Sequence, residues 1–354
     1  MLNQTQSKKI TLAATGDILL HKRLYKKAKK RLKGGYNFDE MLSEAKPLFE
    51  NGGDITIVNQ ESIIAGEEIG LSDYPRFNSP IEIGYLLKDF GVDIANLANN
   101  HILDKGEEGI IKSIENWNEI GIPYVGAYNS QEDQETPRII EKNGLSVCFL
   151  SYTKRMAGMK IPKDKSYLVN TFEDTKVGNI RKEINAIKKS HKVDVFVVSV
   201  HFGKEYHLLP TSAQKEISAS ISDAGADIIL GHHPHVLQPP EYILNSRGLR
   251  TFSAYSLGNF FSGQKGLYRQ IGAFMTVDIE KPSESNPVLK IDNPAMKLTF
   301  VDSTDKENYK LYLLEDIVKE REFIKTHMGN FNSKEVYEEI KTHLTRWIPD
   351  MTIS

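Results

Sequence analysis

The sequence predicts an α/β protein with a mixed sheet system and a polar site along one edge of it. As far as about residue 240, short apolar runs rich in β-formers alternate with longer helical patterns, which is typical of this class. Beyond that point, glycine-punctuated β-runs follow one another without helices, and such strands usually pair antiparallel. Several early apolar runs end directly before clusters of Asp, Glu, Asn or His.

The individual elements follow from these patterns. Apolar, β-rich runs predict strands at residues 10–15, 54–58, 93–97, 146–151, 193–200 and 226–230. Periodic apolar spacing predicts helices at 37–49, 81–90, 107–120, 171–190 and 211–224. Later strands are expected at 251–255, 271–279 and 296–300, exposed loops at 264–269 and 280–286, and two helices within 314–349.

Composition excludes several classes of function. The 354 residues carry a formal net charge of −2, so no charge excess favours nucleic acid or membrane binding. The single cysteine, Cys148, lies in an apolar run and is expected to be a buried, inert thiol. A polar segment 1–9 and the lack of a transmembrane-length apolar run predict a cytoplasmic protein without a membrane span. The oligomeric state is left open.

Polar side chains follow five of the predicted strands at the point where each strand ends. Because the carboxyl ends of strands in an open α/β sheet form the edge where sites assemble, these side chains are expected to converge. A run of three histidines within four residues is the strongest of these signals. In chain order the side chains are Asp17, Glu61, Asn100, His101, His201 and the run His232, His233 and His235.

These residue types together predict a divalent metal site. Carboxylate oxygens and neutral imidazole nitrogens without a thiolate suit Mn, Zn or Fe. Since the candidates outnumber the four ligands of one tetrahedral site, one or two metals are expected. In an extended segment, His233 and His235 would lie on the same side, with Pro234 stiffening the backbone between them. The predicted ligands are Asp17, Glu61, Asn100, His201, His233 and His235.

Other polar residues are candidates for catalysis or substrate binding. A histidine beside such a metal can donate or accept a proton. The predicted catalytic residues are His101, His201, His232 and Glu205. The predicted substrate contacts are Asp104, Asn59, His21 and Arg155. Arg155 and the adjacent Lys154 could bind a carboxylate or phosphate, and the alternative is that they form a solvated turn. The basic segment 22–33 is either a solvated helix face or a docking surface for an anionic substrate.

Six motifs follow one another along the sequence: Gly16-Asp17, Asn59-x-Glu61, Asn99-Asn100-His101-x-x-Asp104, His201-x-Gly203-x-Glu205, Gly231-x-His233-Pro234-His235-Val236-x-Gln238 and Ser256-Leu257-Gly258-Asn259-Phe260. In this order they resemble a known family, the capsule-synthesis CapA family of the poly-γ-glutamate biosynthesis type, which is related to the calcineurin-like metallophosphoesterases. The resemblance covers about residues 9–262 and implies a four-layer α-β-β-α sandwich with two mixed sheets. Residues 263–354 lie outside the resemblance, and we expect them to complete the same domain with C-terminal strands and a helical cap.

The motifs depart from those of the wider phosphoesterases at two points. Asp17 is followed by Ile18 and Leu19 instead of an Asp-x-His pattern, and the nearest histidine is His21. Glu61 stands where those enzymes have a bridging aspartate.

Three functions therefore remain open. The resemblance implies a metal-dependent enzyme acting on a peptide or poly-γ-glutamate-type substrate in biosynthesis, with metal-assisted acid/base chemistry such as peptide epimerisation as one form. A second function is phosphate-ester hydrolysis. A third is a non-catalytic role within a polymer-synthesis complex. The expected partner is a peptide or an anionic polymer and not a nucleic acid.

Overall fold

The computed structural model describes residues 7–30, 34–154, 156–173, 175–283, 288–303 and 309–354. Its helices are α1 (Lys22–Ala28), α2 (Asp39–Leu42), α3 (Lys46–Gly52), α4 (Glu82–Asp89), α5 (Gly106–Ile120), α6 (Gln131–Glu135), α7 (Gly178–Ser190), α8 (Ser212–Ala224), α9 (Leu314–Glu320) and α10 (Ser333–Leu344). Its strands are β1 (Lys8–Leu19), β2 (Ile55–Gln60), β3 (Ile94–Asn96), β4 (Tyr124–Val125), β5 (Arg138–Lys142), β6 (Leu145–Thr153), β7 (Val195–His201), β8 (Ile228–His232), β9 (Leu237–Gln238), β10 (Glu241–Leu244), β11 (Arg250–Ala254), β12 (Ser256–Leu257), β13 (Asn259–Ser262), β14 (Ile271–Lys281), β15 (Lys290–Asp302), β16 (Lys310–Leu313), β17 (Phe323–Thr326), β18 (Gly329–Asn332) and β19 (Thr352–Ile353).

Two large mixed sheets form the centre of the molecule. The first has the order β16-β15-β14-β1-β2-β3-β4, with β13 also paired to β1 and β19 to β15. Strands β1 to β4 run parallel, whereas β14, β15 and β16 are antiparallel to their neighbours. The second has the order β10-β11-β8-β7-β6-β5, in which only the edge strands β5 and β10 are antiparallel. The predicted mixed sheet system is confirmed.

Alternate side chains of each sheet face different apolar cores. Leu12 of β1 and Phe149 of β6 both belong to the core between the two sheets. Ala13, the next residue of β1, faces a core shared with α1 to α5. Leu150, the next residue of β6, packs with the apolar side chains of α7 and α8. Because strand side chains alternate in direction, this places helices outside each sheet and gives the four layers α-β-β-α that the resemblance implied.

An aspartate at the amino end of four parallel strands ties each strand to its neighbour. Asp54, Asp93, Asp194 and Asp227 directly precede β2, β3, β7 and β8. Each carboxylate accepts a backbone N–H from the adjacent strand at 2.7 to 3.0 Å. In return, the backbone N–H of each aspartate donates to the backbone carbonyl of the neighbouring-strand residue that its carboxylate contacts, at 2.8 to 3.0 Å. These paired bonds fix strand register at the amino edge, opposite the predicted site.

Strand β1 contains Asp17, although the sequence predicted that this residue follows the strand. The pairing of β1 with β2 shifts between Ala14 and Asp17, and a bulge of this kind bends a strand and re-aims a side chain. At the bend, a Cβ on Gly16 would overlap the carbonyl oxygen of Gly258, to which the Asp17 N–H donates at 2.8 Å. Glycine at position 16 therefore allows the close approach that directs Asp17.

Two predicted helices differ from the observed ones. The helix at 37–49 is divided into α2 and α3, because Pro47 has no N–H to continue the hydrogen-bonding pattern. The helix at 171–190 begins only at Gly178, since Thr171 pairs as a β-bridge with Thr153. The basic segment is helical over α1 only, and residues 31–33 lie outside the described residues.

The C-terminal part adds strands and helices around the first sheet. The two helices predicted within 314–349 are α9 and α10, with an unpredicted hairpin of β17 and β18 between them. The loop at 264–269 is not fully exposed as predicted, because Leu267 is buried in the core between the sheets. Cys148 is fully buried, as predicted. In the described ranges, none of the helices is long and apolar enough to cross a bilayer.

Candidate metal centre

The predicted ligands converge at the carboxyl ends of strands from both sheets. The first sheet supplies Asp17 from β1, Glu61 directly after β2, and Asn100 shortly after β3. The second sheet supplies His201 and His232 as the last residues of β7 and β8, where the sequence predicted them just beyond the strands. His233 and His235 follow in the loop after β8. All except His233 are less than one-tenth exposed, so the cluster lies largely out of contact with solvent.

Histidine nitrogens surround the two carboxylates. Nδ1 of His232 lies 3.3 Å from Oδ1 of Asp17, and Nδ1 of His235 lies 3.0 Å from Oδ2 of the same residue. Nε2 of His201 and Nε2 of His235 lie 3.6 and 3.7 Å from Oε1 of Glu61. The carboxylates and imidazoles therefore occupy one shared site.

The donor atoms of this cluster fit a divalent cation. Glu61, His233 and His235 each offer one ligand atom, and these atoms lie within 4.8 Å of one another. Buried polar atoms without a hydrogen-bonding partner are costly, and a cation would satisfy several of them at once. In this cluster, the atoms that find no such partner among the described residues are Asp17 Oδ2, Glu61 Oε1 and Oε2, Asn100 Oδ1, His201 Nδ1 and Nε2, His232 Nδ1 and His233 Nδ1.

The two carboxylates have different electrostatic environments. Burial alone would raise the pKa of Asp17, but the close imidazoles of His232 and His235 hold that pKa well below its usual range. Burial raises the pKa of Glu61 well above its usual range, with His235 opposing the shift. Asp17 is therefore ionised near neutral pH, and the charged form of Glu61 needs a cationic neighbour.

The pKa values of the histidines are also shifted in opposite directions. Burial lowers the pKa of His201 well below its usual range and that of His233 to about 4, so both rings are neutral near pH 7. Burial also acts to lower the pKa of His235, but the charges of Glu61 and Asp17 outweigh it and raise that pKa to about 9. A neutral imidazole is the form that binds a metal, and a cation placed between the carboxylates would replace the proton on His235.

Asparagine side chains contact the predicted ligands and fix their orientation. Asn59 donates from Nδ2 to Asp17 Oδ1 at 2.7 Å and accepts from Asn96 Nδ2 at 2.9 Å. Asn259 Oδ1 lies 3.0 Å from His235 Nδ1. Asn59 was predicted to contact substrate, whereas its buried amide is bonded to Asp17. Asn259 belongs to the last of the six family motifs, whereas the sequence did not single out Asn96; an amide directly at a strand end is the signal that they share.

His101 is held by a separate contact beside the ligands. Its Nδ1 lies 2.8 Å from Oδ2 of Asp104, which also accepts the N–H of Phe77 at 2.5 Å. The Phe77 ring packs edge-on against His101, with ring centroids 4.7 Å apart, and against His21 at 5.1 Å. Asp104 is thereby engaged with His101 and is 2% exposed, which does not favour the predicted contact with substrate.

The backbone of the histidine run is strained. His233 and His235 have φ angles of 98° and 58°, a region that side chains other than glycine rarely adopt. The predicted extended segment is therefore wrong, because the chain turns at both residues. The two rings still lie within 6.0 Å of each other. Such strain costs about 1–3 kcal/mol per residue and is usually concentrated at functional sites.

The remaining predicted residues lie at the margin of the cluster. Glu205 is exposed in the loop after β7, yet it lies close enough for its charge to raise the pKa values of Glu61, His233 and His235. His21 is 8% exposed, and its ring packs edge-on against Phe77, which also contacts His101. Arg155 lies outside the described residues. The roles proposed for these residues stay predictions.

A cleft of about 460 Å³ opens from the metal centre towards the amino end of α8. Asn100, His201 and His233 line its inner part, and Lys154 and Lys204 line its outer part together with the first residues of α8. The cleft is thus a route by which a molecule could reach the buried ligands.

Comparison with known proteins decides the family. The family model described as bacterial capsule synthesis protein PGA_cap matches residues 11–264. The chain belongs to this family. The match contains every ligand of the candidate metal centre and leaves most of the strands and helices after β13 outside it.

Two curated proteins are relatives of this PGA_cap chain. Capsule biosynthesis protein CapA of Bacillus anthracis is 28% identical over 266 residues, which cover 73% of this chain and 61% of that protein. PGA biosynthesis protein CapA of Bacillus subtilis (strain 168) is 33% identical over 189 residues, covering 51% of this chain and 45% of that protein. The chain therefore spans less than two thirds of the length of either relative.

Among solved structures, TT1561 of Thermus thermophilus aligns with 80% of this chain and 98% of its own, with 8% identity and a TM-score of 0.42.

Proposed function

We propose that this PGA_cap protein is a metal-dependent enzyme acting on a peptide or poly-γ-glutamate-type substrate in biosynthesis. One observation carries the proposal: carboxylate, amide and imidazole donors from both sheets meet in a buried cluster, and many of their polar atoms have no partner among the described residues. A purely structural cluster would leave these groups destabilising the fold.

The residues that would hold the cation are Asp17, Glu61, Asn100, His201, His233 and His235, with His232 beside Asp17. Bound there, a divalent ion would polarise a carbonyl or phosphoryl oxygen of the substrate and stabilise negative charge that develops on it. Asn59 and Asn259 orient Asp17 and His235, which limits rearrangement when the substrate binds.

Proton transfer is assigned to His101. Because Asp104 occupies Nδ1, the ring presents Nε2 as the atom that can exchange a proton. Asp104 would also stabilise the charged ring after it has accepted a proton. The same pair suits removal of a proton beside a carbonyl and protonation of a leaving group, so it does not by itself select the reaction.

A polymer with carboxylate groups is favoured as substrate by two observations. Lys154 and Lys204 line the cleft that leads to the ligands. The relatives from Bacillus are named for capsule and PGA biosynthesis. Phosphate-ester hydrolysis is the second candidate, favoured by a mixed oxygen and nitrogen donor set whose candidate ligands outnumber the four of one tetrahedral site.

The first experiment is elemental analysis of purified protein. The wild type should hold Mn, Zn or Fe, and the His233→Ala/His235→Ala variant should lose most of it. His327, an exposed histidine far from the ligands in sequence, provides the matched control variant His327→Ala. Equal metal content in the double variant and the control would remove the metal centre.

The reaction is tested on the same samples. The metal-loaded protein is incubated with a γ-linked glutamate oligomer in deuterated water and in ¹⁸O-labelled water, and separately with a panel of phosphomonoesters and phosphodiesters. Deuterium uptake without cleavage indicates acid/base chemistry at carbon, ¹⁸O uptake indicates hydrolysis, and turnover of phosphoesters alone favours the second candidate. Metal-loaded protein that is inactive in all three assays would instead support a non-catalytic role.

A further inference from the structure

We propose that the outer part of the cleft, between Lys154, Lys204 and the amino end of α8, is a subsite for an anionic group of the substrate. The group is a carboxylate or a phosphate, held apart from the cation. This inference rests on the proposed function for its substrate, but the subsite can be tested without metal.

The amino end of α8 has free donors. Thr211 caps this thirteen-residue helix by accepting the N–H of Gln214 at 3.2 Å, and the Gln214 side chain accepts the N–H of Thr211 at 3.0 Å. The N–H groups of Ser212 and Ala213 precede the first intrahelical bond and donate to no acceptor in the described part of the chain. Together with the positive end of the helix dipole, they favour a bound anion.

Two lysines supply full positive charge next to these donors. Lys154 directly follows β6, and its N–H donates to the carbonyl of His201 at 3.1 Å, which places it beside a predicted ligand. Lys204 follows the same histidine by three residues. Neither ammonium group lies within 4.0 Å of a carboxylate belonging to the described residues, so neither charge is neutralised by such an ion pair.

The inner part of the same cleft supplies the second, independent observation. Asn100 and His201 line it, both are more than nine-tenths buried, and neither Asn100 Oδ1 nor the ring nitrogens of His201 has a hydrogen-bonding partner among the described residues. Polar groups in need of a ligand thus lie at both ends of one cleft. A ligand with a reacting group at one end and an anionic group at the other would satisfy both.

The wall of the cleft is rigid. Gln214 Nε2 donates to Gln238 at 2.9 Å, and Gln238 donates to the carbonyl of His207 at 2.7 Å. Gly203, with φ of 99°, packs so closely that a Cβ would lie 2.6 Å from the Gln214 side chain. These contacts fix the loop after β7 against α8, so the donors of the subsite are positioned before a ligand binds.

The test measures binding of three probes to metal-free protein by calorimetry: γ-linked triglutamate, the same oligomer with its free carboxyl groups converted to amides, and inorganic phosphate. Ser212→Pro removes one donor while proline remains compatible with the first helical position, because Thr211 already has the extended ψ of 159° that a following proline requires. Lys154→Ala/Lys204→Ala removes the charges. Lys182→Ala, at an exposed position on α7, is the control.

We expect triglutamate affinity to fall about fivefold in Ser212→Pro and about tenfold or more in the lysine variant. The control variant should bind triglutamate as the wild type does, and the affinity for the amidated oligomer should be the same in every variant. Weakened binding of phosphate alone would assign the subsite to a phosphate group. Unchanged affinity for both anions in folded variants would overturn the subsite. Since metal is absent from this assay, failure of the metal centre and failure of the subsite give different results.

Discussion

Asn59 Nδ2 lies 2.7 Å from Asp17 Oδ1, and both side chains are almost completely buried. The amide thereby donates to one oxygen of Asp17 and leaves Oδ2 directed at His235. Because Asn96 in turn donates to Asn59, the orientation of a ligand on β1 is set by a chain of amides that begins on β3.

Replacing Asn59 by alanine should lower the affinity for the divalent cation about 10- to 100-fold, since Asp17 would lose the contact that orients it. A competition titration against a fluorescent chelator measures this directly. Asn51→Ala is the control, because Asn51 is exposed and donates only within α3. An unchanged affinity in Asn59→Ala would mean that Asp17 is oriented without the amide.

Asp104→Asn should change which nitrogen of His101 carries the proton. The wild-type carboxylate can only accept and therefore keeps the proton on Nδ1, whereas the amide of asparagine can donate to Nδ1 and favour a proton on Nε2. Long-range ¹H–¹⁵N NMR spectra distinguish the two tautomers. Metal content should be unaffected, and an identical tautomer in both proteins would contradict the assignment of Asp104 as the residue that positions His101.

Gly231→Ala should destabilise the protein by more than about 2 kcal/mol and reduce metal retention. A Cβ at this position would overlap the carbonyl oxygen of Tyr255, and backbone cannot move as a flexible side chain can. Gly178 is the matched control, because it begins α7 with no heavy atom within 4 Å of its Cβ position and no positive φ. Urea unfolding should show Gly178→Ala to be neutral or slightly stabilising.

Asp227→Asn should stabilise the protein at pH 8. Burial raises the pKa of Asp227 to about 6, so the stability associated with its neutral form is fully present below its unfolded-state pKa and is lost as the pH rises through about 6. Asparagine stays neutral and can still accept the N–H of Phe196. We expect a gain of about 1–2 kcal/mol in unfolding free energy at pH 8 and little difference at pH 4.

Asp194→Asn should have the opposite effect on stability, although Asp194 occupies the equivalent position before β7. Burial would raise the pKa of Asp194, but Lys281, whose Nζ lies 2.9 Å away, and the N–H of Ser146 lower it. Its contribution to stability is therefore present above the unfolded-state pKa and is lost as the pH falls through the lower folded-state value. The variant should be less stable than wild type at pH 8, with the difference shrinking towards pH 3. Parallel pH profiles for the two variants would contradict both assignments.

Local patterns in the sequence predicted the mixed α/β class and the clustering of polar side chains at strand ends, whereas the four layers were implied by the family resemblance. Strand alternation and the polar residues at strand ends are visible in a single chain, and the strand ends meet at one edge by topology alone. The bend at Gly16 and the turn at His233 could not be predicted in this way, since each depends on a backbone segment that is distant in sequence. Gly16 is in contact with Gly258, more than two hundred residues away.

A short signal in the sequence does mark the opposite edge of the sheets. Asp54, Asp93, Asp194 and Asp227 are each followed by Ile or Val, and each begins a parallel strand. No helical or strand period produces this pattern, because the aspartate acts on the neighbouring strand and not on its own. The subsite at α8 could not be predicted from the sequence either, because its two lysines follow two different strands and come together only in the fold.

Those four aspartates fix the strands at the amino edge of the sheets, whereas the loops at the carboxyl edge can be varied. Since alignment of the parallel strands is anchored at one end, replacing the loops at the other end need not slide any strand by a residue and turn its apolar side chains to the wrong face. A combinatorial library across the exposed residues 204–209 would therefore retain the scaffold while sampling new chemistry, which makes that loop the natural starting point for changing specificity by directed evolution.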